Sequence, residues 1–79
     1  MGRRRLPPLT AADFLRMLKA DDWYEIAGGR HRNFKHPTKP GKVQVSGKWT
    51  GVKTGSLPFK GVCAQAGWTR DDVDRLYFG

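Results

Sequence analysis

Trp23-Tyr24-Glu25-Ile26-Ala27-Gly28-Gly29-Arg30-His31-Arg32-Asn33-Phe34-Lys35-His36-Pro37 is the stretch on which the fold of this chain turns. Two short runs containing aromatic and aliphatic residues flank a pair of glycines, and a proline stops the second run. The pattern predicts two strands joined by a tight turn at Gly28-Gly29. Pro37-Thr38-Lys39-Pro40-Gly41 is dense in turn residues, and Lys42-Val43-Gln44-Val45-Ser46 alternates apolar and polar positions as a third strand does. Three strands on short connections make an antiparallel meander.

Helices are expected on either side of it. Upstream, Thr10 precedes Ala11, Phe14, Leu15 and Leu18 at helical spacing; Asp13 can complete a capping box, and Leu9 and Phe14 a hydrophobic staple. Ala20-Asp21-Asp22 ends that helix. Downstream, Gly47–Gly55 reads as a loop, Ser56 caps a helix running to about Ala66 with Pro58 in its first turn, and Gly67 stops it. Thr69 then caps a short third helix whose Asp71 and Asp72 lie at its positive end. The expectation is an α+β domain, α-β-β-β-α, with a three-stranded antiparallel sheet backed by helices and a short C-terminal helix. Residues 1–8 read as a basic, proline-containing flexible tail, 9–67 as the domain, and 68–79 as a helical extension.

Strand alternation sorts the side chains into two faces. Tyr24, Ile26, Phe34, Val43 and Val45 are expected against the helices. His31, Asn33, Lys35, Lys42 and Gln44 are expected on the open face, and His36 falls with Phe34 at a strand end.

Charge narrows the partner. The 79 residues carry a formal net charge of +8, and the pI is about 10.3. All seven acids (Asp13, Asp21, Asp22, Glu25, Asp71, Asp72, Asp74) lie outside Ile26–Arg70, a window holding nine Lys and Arg residues. So one-sided a centre points to a polyanion, a nucleic-acid backbone above all. A chain of this length buries only about 60% of its unfolded surface, so a shallow site on a long polymer suits it better than a deep pocket. The single cysteine, Cys63, rules out an internal disulfide and a cysteine-rich zinc site, and reads as a buried thiol in helix core. Two histidines with no acid nearby supply no metal-ligand set, so neither metal nor cofactor is expected. Without an apolar run long enough to span a bilayer, the chain is expected to be soluble and cytoplasmic, with no membrane contact.

An imidazole set just after a glycine turn among cations can move protons beside a phosphate. From the residues alone, His31 is either such a group or a polar turn residue bonding the backbone. Arg30, Arg32, Lys35, Lys42 and Lys48 are the candidate phosphate contacts, and Trp49 either stacks a base or packs over the sheet edge. Gly28 and Gly29 support the turn, and Phe34 and His36 anchor the strand.

The run Gly29-Arg30-His31-Arg32-Asn33-Phe34-Lys35-His36-Pro37, with Asp22-Trp23 leading into the first strand, Val43-Gln44-Val45 in the third, and Ala64-Gln65-Ala66-Gly67 closing a helix, resembles the HicA family, small ribonuclease toxins of bacterial toxin–antitoxin pairs. The likeness spans roughly residues 10–67. It departs at Arg30, where the family usually has Ser or Thr, and at Ser46-Gly47, where a Pro-His step is common. The resemblance implies a double-stranded-RNA-binding-domain-like fold, endoribonuclease activity on mRNA centred on His31, and a HicB-like antitoxin as protein partner. A non-catalytic RNA-binding module on the same scaffold is the other reading. Oligomeric state is not set by the sequence.

Overall fold

Thr10 starts the first helix as its neighbours predict. In a computed structural model that describes residues 5–29 and 31–79, its hydroxyl accepts from the Asp13 amide at 3.2 Å, and the Asp13 carboxylate accepts from the Thr10 amide at 2.9 Å. Helix α1 (Ala11–Ala20) buries Ala11, Phe14, Met17 and Leu18 along one face. Its end is sharp. The Asp21 amide donates to the Met17 and Leu18 carbonyls, and Asp22 takes a left-handed conformation at φ 69°, uncommon for a residue with a side chain.

The chain then enters β1 (Tyr24–Ile26), turns into β2 (Arg32–Lys35) and returns through β3 (Val43–Val45), an antiparallel sheet in the order β1-β2-β3. Tyr24 pairs with Lys35, Glu25 with Phe34 and Ile26 with Asn33; Asn33 pairs in turn with Gln44 and Phe34 with Val43. Cross-strand partners share a face. This register corrects the expected alternation in β1: Tyr24 and Ile26 lie on the face of Lys35 and Asn33, away from the helices. The inward residue is Trp23. Two local constraints set the phase. The Trp23 amide donates to the Leu18 carbonyl at 2.9 Å and its indole N–H to Asp21 Oδ2 at 3.1 Å. With Trp23 turned in, every later residue of a period-two strand follows.

Helix α2 (Leu57–Ala66) runs beside β3 and ends at Gly67, whose left-handed φ of 71° suits glycine. Ser56 occupies the cap position, yet its hydroxyl donates to the Lys53 carbonyl at 2.7 Å instead of accepting from the helix, a correction to the expected cap. Gln65 of α2 accepts the Gln44 amide at 2.9 Å, which satisfies an outward-facing N–H on the edge of β3. Helix α3 (Arg70–Phe78) has its own capping box between Thr69 and Asp72 and packs on α1. Arg16 of α1 reaches the carbonyls of Leu76 and Tyr77 near the C-terminal end of α3, where the helix dipole favours a cation.

The core is one cluster. Phe14, Met17, Leu18, Trp23, Phe34, Val43, Val45, Phe59 and Val62 meet in it, joined by Trp68, Val73 and Leu76 from the expected extension and by Leu6 from the expected tail. The segment after β3 is tied to the same body: Leu9 and Val52 exchange backbone hydrogen bonds at 2.9 and 2.7 Å, and the Ala11 amide donates to the Trp49 carbonyl. No described helix is long and apolar enough to cross a membrane.

Asp21 joins the layers. Its Oδ2 accepts from Lys39 Nζ at 2.8 Å, from the Trp68 indole at 2.8 Å and from the Trp23 indole at 3.1 Å. Its carbonyl accepts from His36 Nε2 at 2.9 Å. The other nitrogen of His36, Nδ1, accepts from the amides of Thr38 and Lys39, so Nε2 carries the hydrogen. The ring stands edge-on to Trp23. Burial pushes the Asp21 carboxyl upward, but hydrogen bonds from Lys39, Trp68 and Trp23 outweigh it and hold the group below the usual carboxylate range.

Candidate nucleic-acid interface

The face of the sheet turned away from the helices is open. Tyr24, Lys35 and Gln44 are exposed on it, and Lys42, exposed just before β3, falls on the same side by alternation from the buried Val43; His31 is exposed at the hairpin end just before β2. Asn33 is the exception among the expected polar residues of this face, only 5% exposed. Its amide nitrogen donates to the His31 carbonyl at 2.9 Å and its oxygen accepts from Gln44 Nε2 at 3.1 Å. Both ends of the buried amide are therefore satisfied, and the backbone of His31 is held from beneath. Asn33 positions the site and does not line it, a correction to its expected exposure.

Gly28 makes this possible. A Cβ there would stand 1.8 Å from Asn33 Nδ2, so no other residue fits without moving the amide. Close approach, not backbone sign, is the requirement, since neither Gly28 nor Gly29 has a positive φ. A Cβ on Gly29 would meet open space. The hairpin end forms a shallow depression of about 470 Å³ whose lining includes Gly28, Gly29, His31 and Arg32. The His31 ring is exposed and has no side-chain hydrogen bond among the described residues.

The expected phosphate contacts separate. Arg32 shares the face of Phe34, and its Nε and Nη2 donate to the two carboxylate oxygens of Glu25 at 2.7 and 2.6 Å. Those hydrogen bonds hold the Glu25 carboxyl below its ordinary range and the Arg32 guanidinium above its own. The pair is self-neutralising. Lys48 and Trp49 stand on the segment after β3 and line a different depression of about 450 Å³ together with Lys53. Trp49 is half-buried, its ring set edge-to-face on Phe14 with centroids 5.4 Å apart. Phe34 is buried in the core. Arg30 lies outside the described residues, as do Arg3 and Arg4 of the basic tail.

The acids are mostly engaged: Asp13 and Asp72 in caps, Asp21 with Lys39, Asp74 with Arg70, Glu25 with Arg32. Lys35, Lys42, Lys48, Lys53 and Lys60 take part in no ion pair among the described residues. No neighbouring carboxylate among the described residues offsets their charge. No group of three or more His, Cys, Asp or Glu side chains that could hold a metal ion occurs among the described residues.

Sequence alternation missed Tyr24. It is 50% exposed and directly opposite Lys35 on the open face. The signal that could have found it was Asp22, since a left-handed residue before a strand unsettles the phase read from the strand alone.

No protein-family model, curated protein or solved structure matches this chain.

Proposed function

We propose that the chain is a HicA-type endoribonuclease toxin on a double-stranded-RNA-binding-domain-like fold. It cuts mRNA in the cytoplasm without a metal or cofactor and is silenced by a HicB-like antitoxin. The observation that carries this reading is an exposed imidazole, His31, at the hairpin end just before β2, with its backbone carbonyl braced by the buried Asn33, beside a sheet whose open face presents Lys35.

His31 takes the proton of a ribose 2′-hydroxyl. The freed oxygen attacks the adjacent phosphorus, the bond to the 5′-oxygen breaks, and a general acid on the opposite side of phosphorus, which the sequence does not identify, gives that leaving oxygen its proton. The products are a 2′,3′-cyclic phosphate and a 5′-hydroxyl. Lys35 and Lys42 offset the charge that builds on phosphorus. Positioned acid–base catalysis of this kind supplies about 10²–10⁴-fold in rate. The same cations suit an acidic antitoxin surface, which would cover His31 when bound.

A non-catalytic RNA-binding module is the second reading. Arg30, standing where the HicA family usually has Ser or Thr, favours it, because a departure inside the motif bears on the chemistry more than on the fold. One experiment separates the two. RNA is incubated with the wild-type chain and with His31→Ala in the presence of a chelator. The enzyme reading expects cyclic-phosphate ends from the wild type and at least about a 100-fold loss in the variant, with RNA affinity kept. Equal RNA decay from both proteins removes His31 from the catalytic role, whereas binding with no decay from either leaves the binding module.

A further inference from the structure

We propose that Tyr24 is a stacking platform for an unpaired base, making single-stranded RNA the ligand of the open sheet face. The inference rests on the RNA reading above and adds the form of RNA and the residue that selects it.

The chemistry is local. Tyr24 is half exposed at a position where a core tyrosine would be covered. Ile26, two residues on and partly buried, extends the apolar floor on the same face. Lys35 stands directly opposite Tyr24, and continuing the β2–β3 register by one step puts Lys42 beside Lys35. Cross-strand neighbours lie about 5 Å apart at Cβ, so ring and ammonium groups meet one nucleotide together. A flat apolar ring bordered by cations binds bases through stacking while the lysines hold the backbone. The acids near β1 do not oppose this. Glu25 is on the other face with Arg32, Asp21 is held by Lys39, and Asp22 lies in the turn before the strand.

Geometry also links the platform to His31. His31 stands just before β2, four residues from Lys35, at most about 13 Å of extended chain. A short single strand lying along β2 reaches both, with one base on Tyr24 and a phosphate farther along at His31. A base locked in a duplex cannot lie flat on the ring.

The test uses the full chain carrying His31→Ala, so that RNA is bound and not cut, and fluorescein-labelled RNA read by anisotropy. Adding Tyr24→Ala weakens single-strand binding by about 5- to 150-fold, whereas Tyr24→Phe, which keeps the ring, stays within about twofold. Duplex affinity is the same in all three proteins. The dependence on salt is unchanged by Tyr24→Ala and becomes shallower with Lys35→Ala. Single-strand affinity unmoved by Tyr24→Ala, or lowered equally by Tyr24→Phe, overturns the stacking role and leaves the His31 chemistry standing. A loss shared equally by single strand and duplex overturns it as well. Failure of the His31→Ala parent to bind either RNA overturns the RNA reading beneath it.

Discussion

Asp21 and Gly28 show how much single positions can decide in so small a core. One carboxylate oxygen of Asp21 serves two indoles and an ammonium. Asp21→Asn keeps the shape and removes the charge, and should cost about 1–3 kcal/mol of stability, measured by denaturant unfolding at neutral pH. The pH dependence has a definite sign. A carboxyl held below its unfolded value contributes stability that is full above about pH 4 and is lost as pH falls through the lower folded value. Acid unfolding of the Asn variant should therefore be flatter than that of the wild type in that window. Gly28→Ala drives a methyl group into the Asn33 amide. The expected cost is about 1–3 kcal/mol from a displaced, unsatisfied amide, with RNA affinity or cleavage falling at the same time as His31 loses its brace. Combining it with Asn33→Ala should cost less than the sum of the two single changes, and thermal unfolding of all four proteins measures that coupling.

Elements differ in how far local sequence determines them. The capping boxes Thr10–Asp13 and Thr69–Asp72 were legible because donor and acceptor lie three residues apart. Thr69→Ala should cost about 1 kcal/mol and raise hydrogen exchange in the first turn of α3. Ser56 looked equally good, but the neighbouring Lys53 carbonyl claims its hydroxyl. The three strands were legible, and so was the inward place of Phe34, Val43 and Val45. The phase of β1 was not, because it depends on the backbone of Asp22 and on an indole held by Asp21. Replacing Asp22 by Gly at its φ of 69° should stabilise the chain by about 0.5–1 kcal/mol, seen as a higher melting temperature. The layout around the candidate site was legible to a similar degree: the exposure of His31 and Lys35 from the motif, the exposure of Tyr24 and the bond from Asn33 to the His31 carbonyl only from the structure.

At the scale of the whole molecule, the boundaries suggested by composition do not coincide with the limits of the core. Trp68, Val73 and Leu76 share a cluster with Phe14 and Leu18. Losing three such side chains, at about 2–5 kcal/mol each, is comparable to the whole stability of most domains. A chain ending at Gly67 should show no cooperative unfolding transition in calorimetry or circular dichroism. The dense basic middle, by contrast, was legible in full, since net charge requires no knowledge of contacts.

The bond between Gln65 and the Gln44 amide has a consequence for self-association. Among the described residues both β1 and β3 are edge strands, but α2 packs on β3 and Gln65 occupies one of its outward N–H groups, so β1 is the more open border. Strand addition between copies would join two β1 borders back to back and leave a covered β3 at each end. Growth would halt at a closed pair with a continuous six-stranded sheet, with no fibril beyond it.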